Sequence, residues 1–345
     1  MQNHLSQAIL GLIFRLFHSV LQKRISGAII AIHSSNSGKE LFMSVSFPPE
    51  HCTLCPRLCG ADRAHAKVGF CGAADKLKIA RAGLHHWEEP CISGTQGSGT
   101  VFFSGCSLKC CYCQNFSISA EARGKEVSIE RLAEIFLELQ AQGAHNINLV
   151  TPGQWRPWIC AALDIAREKG LHLPIVCNTG GYETLESIEA WRGYIDIWLA
   201  DLKYDSSALA AELSGAANYP QVAKDAIRAM LQQAGPLVYD DHGILQKGTI
   251  LRHLAIPVHV QDSLAVLETI AGLKAEFPQH FLPSLMSQFT PFYKAAEHGI
   301  GRRITTYEYR KVIDRAIELG LTDGYMQEKS SAKEEYTPSF DFTGV

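Results

Sequence analysis

The stretch Thr100-Val101-Phe102-Phe103-Ser104-Gly105-Cys106-Ser107-Leu108-Lys109-Cys110-Cys111-Tyr112-Cys113 joins two signals. Its first half is a short run of β-branched and aromatic residues, the pattern of a buried strand. A glycine then turns the chain into Cys-x3-Cys-x2-Cys. Beyond it, apolar runs alternate with helical periodicity. A helix is expected over residues 129–142, a strand over 147–150 with a helix over 155–169, and a strand over 174–177 with a helix near 183–192. A strand over 195–200 precedes a helix over 220–234, a strand over 249–256 precedes a helix after Asp262, and a strand over 283–288 precedes a helix over 306–319. Asp262-Ser263 and Thr305-Thr306 supply helix starts, and Gly320 a stop. Six βα units of this kind predict an α/β fold, a partial (β/α)6 TIM-like barrel over residues 100–345.

Chemistry in such barrels gathers at the carboxyl ends of the strands. Here those ends read Ser104-Gly105-Cys106, Thr151-Pro152-Gly153, Asn178-Thr179-Gly180-Gly181, Asp201-Leu202-Lys203, Arg252-His253 and Ser287-Gln288. Nearly all are polar, charged or glycine-rich.

Upstream, residues 47–99 are rich in Cys, Gly, Arg and His without a long helical period, and read as a small Cys-rich, metal-binding region with short strands within 77–89. Cys52-x2-Cys55-x3-Cys59-x11-Cys71 places four ligand-type residues within 20 positions, near His51, His65 and Cys91. That set reads as a zinc knot, as a second iron-sulfur cluster or as partly used thiols, and spacing alone does not choose. Residues 1–46 form an N-terminal extension, disordered or upstream of a true start at Met43. Its apolar runs, 8–21 and 27–32, are too short to span a membrane, and Lys23 and Arg24 follow the first run where a signal peptide would have them precede it.

Composition bounds the rest. The 345 residues are 46% hydrophobic with a net charge of −3, enough for a substantial core and without the basic excess expected of a DNA-binding chain. Of eleven cysteines, nine fall between Cys52 and Cys113. A long chain with an ample core does not need a disulfide framework, so ligation in a reducing cytoplasm is the expected use.

Three thiolates at Cys106, Cys110 and Cys113 are one short for a cubane of four irons, which leaves one iron open to a ligand. Structural zinc, with Cys111 as fourth ligand, is the alternative; adjacent cysteines rarely chelate one tetrahedral ion, so Cys111 reads as a bystander. With Tyr112 before the last cysteine, the motif resembles that of the radical S-adenosylmethionine superfamily. More narrowly, residues 47–345 resemble the iron-sulfur proteins homologous to pyruvate formate-lyase activating enzyme. That likeness is carried by Cys-Thr-Leu-Cys-Pro-Arg-Leu-Cys-Gly from Cys52, His86-Trp87-Glu88-Glu89-Pro90, Gly97-Ser98-Gly99-Thr100, the cysteine motif, Asn146-Ile147-Asn148-Leu149-Val150-Thr151-Pro152, Asp201-Leu202-Lys203 and Arg252-His253-Leu254.

The resemblance implies a 4Fe-4S cluster on Cys106, Cys110 and Cys113 that binds S-adenosylmethionine and cleaves it reductively to a 5′-deoxyadenosyl radical under anaerobic conditions. It also implies a one-electron donor such as flavodoxin or ferredoxin, and a glycyl-radical protein as substrate. Asn178, Thr179 and Gly180 are expected to contact the cofactor, with a plain glycine turn as the alternative. Asp201 and Lys203 are expected at its methionine part, with a buried ion pair as the alternative. For His253, a core role stands beside a substrate contact. One departure stands out: the family's Gly-Gly-Glu stretch, which meets the methionine amino group, is replaced by Thr151-Pro152-Gly153-Gln154. Two other functions fit the same residues: a radical enzyme acting on a small molecule, peptide or RNA, and a non-catalytic zinc-binding scaffold.

Overall fold

Apolar runs bounded by Gly, Pro or Asn become the strands of an open sheet in the computed structural model of the chain, which describes residues 47–327 and 338–345. The strands are β1 (Lys78–His85), β2 (Ser98–Phe103), β3 (Lys125–Glu126), β4 (Ile147–Val150), β5 (Ile175–Thr179), β6 (Ile197–Asp201), β7 (Val238–Tyr239), β8 (Leu245–Leu254), β9 (Phe281–Met286) and β10 (Tyr325–Met326). Their order is β10-β9-β8-β6-β5-β4-β2-β1-β3, with β7 paired to β8 off this path. From β2 to β10 each neighbouring pair is parallel; β1 and β3 form an antiparallel edge. Among the described residues the two ends of this path do not meet, so the barrel is partial.

Helices run between the parallel strands and cover the sheet. Arg156–Glu168 buries Trp158, Ile159, Ala162, Leu163 and Ala166, a helical stripe, and packs beside Ile129–Ala141. Each large side chain in such a stripe contributes about 1.5–3 kcal/mol on full burial. The carboxyl-terminal residues shield β1: Ala82 N donates to Thr343 O at 3.0 Å and Phe342 N to Ala80 O at 3.2 Å.

Two expectations need correction. The helix expected after Asp262 spans Val260–Glu276, because the Asp262 carboxylate accepts from the backbone of Asp205 and Ser206 and leaves the amino-terminal position to His259. A helix over Ser207–Ser214 was not expected; it is eight residues long and Ala-rich, with too weak a polar period to read. The expected extension at residues 1–46 lies outside the described residues. Among those described, no helix is long and apolar enough to cross a membrane.

Candidate functional site

β2 is buried along its whole length and ends on the loop that carries the cysteine motif. Gly105 has φ +86°, and a Cβ there would lie 2.5 Å from the carbonyl oxygen of Cys71, so the turn requires glycine. That approach lets Cys106 N donate to the same carbonyl at 3.1 Å. The loop root is fixed further by Trp155 Nε1, which donates to Ser104 O at 2.8 Å, and by Gln154 Nε2, which reaches Gly105 O at 3.0 Å.

Cys106, Cys110 and Cys113 each have a hydrogen-bond donor at the sulfur. Leu108 N donates to Cys106 Sγ at 3.4 Å, Ser214 Oγ to Cys110 Sγ at 3.0 Å, and Ser119 Oγ to Cys113 Sγ at 3.2 Å. Behind Ser214 a buried chain of hydroxyls continues through Tyr204 to Tyr112, each step 2.7 Å. Cys106, Cys110 and Cys113 line one cavity of about 260 Å³, and Cys111 does not. The backbone of Cys111 is held elsewhere, its N–H by Leu213 O and its carbonyl by Lys294 N, both at 2.8 Å.

Burial pushes the Cys106 thiol up to about 12 and raises that of Cys113. Thiolates at these positions would therefore need a cation beside them, which the iron of a bound cluster would supply. Among the described residues no three His, Cys, Asp or Glu side chains converge on a single ion-sized point. A cubane does not ask for that, because each thiolate binds its own iron at a separate corner. The donor set fits a cluster held by three thiolates that opens onto the cavity.

The strand ends supply the other wall. Asn178, Thr179, Gly180, Asp201 and Lys203 all line the same cavity. Lys203 Nζ and Asp201 Oδ2 form an ion pair at 2.5 Å; burial disfavours the ammonium, and Asp201, Cys110 and Tyr219 together outweigh it, holding the Lys203 pKa above its ordinary value. The hydroxyl of Tyr219 ties the two segments together, donating toward Gly180 O and Asp201 O and accepting from Lys203 N, all at 2.9 Å. His253 is a core residue outside the lining. Its Nδ1 bonds Leu202 O at 2.8 Å, and burial lowers its pKa to about 4, so the ring is neutral.

The amino-terminal cysteines differ in exposure but lie within electrostatic reach of one another, Cys55 of Cys52 and Cys71, and Cys71 of Cys52 and Cys59. Cys52 and Cys71 are buried, Cys59 is exposed, and Cys55 lines the cavity alongside the motif. Arg57 clamps their loop in place by donating to Ser107 O at 2.7 Å and Ser214 O at 2.9 Å.

Three site residues escaped the sequence reading. Glu88 and Glu89 both pair with the guanidinium of Arg252, and Glu88 also accepts from Asn148 Nδ2 at 3.0 Å and Asn178 Nδ2 at 3.3 Å. Adjacent acids shortly after a strand, with an arginine near the end of another, were the available signal. Glu183 is the third, hidden because it falls inside a segment expected to be helical.

No protein-family model matches the chain. Over 280 residues it is 26% identical to an uncharacterized protein of Methanocaldococcus jannaschii, a match covering 79% of this chain and 76% of that one. Among solved structures it is similar to Streptococcus suis SuiB bound to S-adenosylmethionine, with a TM-score of 0.45 and 15% identity over 68% of this chain and 51% of SuiB. It is also similar to methylornithine synthase (PylB), with a TM-score of 0.42 and 16% identity over 64% of this chain and 60% of that one. The chain thus spans about half of SuiB.

Proposed function

We propose that this chain is a radical S-adenosylmethionine enzyme in which Cys106, Cys110 and Cys113 hold a 4Fe-4S cluster. The observation that supports it most is the shared cavity: three thiols at the end of the first parallel strand face the polar ends of β5 and β6, and the neighbouring Cys111 is turned away. When bound there, the cluster and S-adenosylmethionine supply a 5′-deoxyadenosyl radical for hydrogen abstraction. The chain's own part is to bind, orient and keep out water. Leu108, Ser119 and Ser214 donate to the ligating sulfurs; the Asp201–Lys203 pair and the Asn178–Gly180 segment, locked by Tyr219, receive the polar groups of the cofactor.

Within that class, the preferred substrate is a glycine of a partner protein, activated to a glycyl radical, with flavodoxin or ferredoxin as electron donor in a reducing cytoplasm. Family resemblance supports this finer reading, and fold alone does not select a substrate. A small molecule, peptide or RNA would use the same generator.

Anaerobically reconstituted protein given dithionite and S-adenosylmethionine should release 5′-deoxyadenosine and methionine in equal amounts. No release from fully iron-loaded protein would reject the reading. Metal analysis of a variant with Cys106, Cys110 and Cys113 all replaced by Ala would show what Cys52, Cys55, Cys59 and Cys71 hold: iron for a second cluster, zinc for a structural knot.

A further inference from the structure

Cys52, Cys55, Cys59 and Cys71 are all free of disulfides, and the backbone gathers them. Cys52 N donates to Ala61 O and Gly60 N to Cys52 O, both at 3.1 Å, a two-way pairing that brings residues 59–61 back beside Cys52. Cys59 Sγ lies 3.4 Å from where a Cβ of Gly69 would stand. Gly69 opens the turn that carries Cys71, its N–H donating to Ala73 O at 2.9 Å. Cys55 is within electrostatic reach of Cys52 and Cys71. Two of the sulfurs also face a backbone N–H from two residues on, Cys55 that of Arg57 and Cys71 that of Ala73. Leu108 N stands in the same relation to Cys106 in the first motif.

The surroundings of this set carry positive charge without its counterpart. Arg63 is fully buried, with its guanidinium 4.8 and 4.5 Å from the ring centres of Trp155 and Trp158. It donates through Nε to Ala74 O and through Nη1 to Gln154 O, both at 2.7 Å, while Nη2 has no hydrogen-bond partner. Arg156 is buried as well, and its Nη1 is also without a partner. Arg63 acts electrostatically on Cys71, and Arg156 on Cys52, Cys160 and Glu183. Glu183 is occupied by Thr179 and Ser187. Buried guanidiniums are costly unless an anion answers them, and a metal centre ligated by four thiolates is net anionic.

The kind of centre follows from spacing. Zinc would draw the four sulfurs onto one point, each about 2.3 Å from the ion. Among the described residues no three ligand-type side chains converge in that way. A cubane takes each sulfur at its own corner. We infer that Cys52, Cys55, Cys59 and Cys71 hold a second iron-sulfur cluster, capped by protein at every iron, that relays electrons to the cluster on Cys106, Cys110 and Cys113. Cys59 is exposed at the outer end of the set. At the inner end Cys71 O accepts from Cys106 N at 3.1 Å, and Cys55 lines the cavity beside Cys106. One electron enters from a reduced low-potential donor and leaves through the Cys71–Cys106 contact; no bond or proton moves. The relay rests on the radical S-adenosylmethionine reading above, whereas the second cluster does not.

The test is metal and sulfide analysis of anaerobically reconstituted full-length protein in which Cys106, Cys110 and Cys113 are all replaced by Ala. It should retain about four irons and four sulfides per chain without zinc, and the spectrum of its reduced cluster should ignore S-adenosylmethionine. Zinc in their place, or soluble variant that holds no metal, overturns the site. Should that variant not fold, wild type carries the same test: about eight irons, falling to about four in Cys59→Ala. For the relay, Cys59→Ala should lower 5′-deoxyadenosine release driven by reduced flavodoxin about tenfold or more, and release driven by dithionite by less than about twofold. Equal loss with both reductants, or loss with neither, overturns it. A second cluster in wild-type protein that releases no 5′-deoxyadenosine with dithionite would instead remove the enzyme reading and leave the site standing.

Discussion

Burial raises the carboxyl of Glu183 from its ordinary 4.5 to about 7, against the lowering effects of Thr179, Arg156 and Ser187. A carboxyl that holds its proton more tightly when folded adds stability below pH 4.5 and loses it as the pH climbs through 7. The difference is on the order of 3 kcal/mol. Cofactor-free Glu183→Gln should therefore exceed wild type by about that amount in urea denaturation at pH 8 and match it near pH 4. A gap independent of pH would contradict the assignment of the charge. The cysteines make a second prediction at this scale. Cys106→Ala, Cys110→Ala and Cys113→Ala should each lose the cluster's visible absorption and all 5′-deoxyadenosine release, whereas Cys111→Ala should keep both. A dead Cys111 variant would mean that the ligand set is wrong.

Among elements, the ends of β1 and β8 are joined by the Glu88–Arg252–Glu89 cluster, in which Arg252 Nε also donates to Glu89 Oε1 at 2.8 Å. Arg252→Met would leave two acids buried without their cation and should cost about 3–5 kcal/mol by chemical denaturation. Thr305→Ala, which dismantles the capping box with Glu308 at the start of Thr306–Glu318, should cost about 1 kcal/mol. Elements were legible where periodicity was undisturbed. β4 runs over Ile147–Val150, the span its four apolar-weighted residues define, and the helix at Thr306 begins where its cap predicts. Legibility failed where a polar side chain served a distant partner. Asp262 was read as a helix start, yet it serves the backbone of Asp205 and Ser206; Glu183 was read as helical, yet Thr184 takes the cap and leaves it outside.

At the scale of the molecule, the parallel sheet gathers residues about 100 positions apart in sequence at one rim, consistent with the rule that sites sit at the carboxyl ends of strands. The rule made the cavity wall legible, since Asn178, Thr179, Gly180, Asp201 and Lys203 were each taken from a strand end. It could not show that Glu88 of the antiparallel edge meets Arg252, because pairing across a sheet leaves no trace in spacing. Nor could it show that Cys55 joins the cavity while Cys59 is exposed. The central claim is that three thiolates leave one iron open to the cavity, and electron paramagnetic resonance of the dithionite-reduced protein tests it most directly. Adding S-adenosylmethionine should shift the spectrum of the reduced cluster in wild type and in Cys111→Ala, and no such signal should exist in the variant lacking Cys106, Cys110 and Cys113. A reduced cluster on these cysteines whose spectrum is indifferent to S-adenosylmethionine would contradict the account.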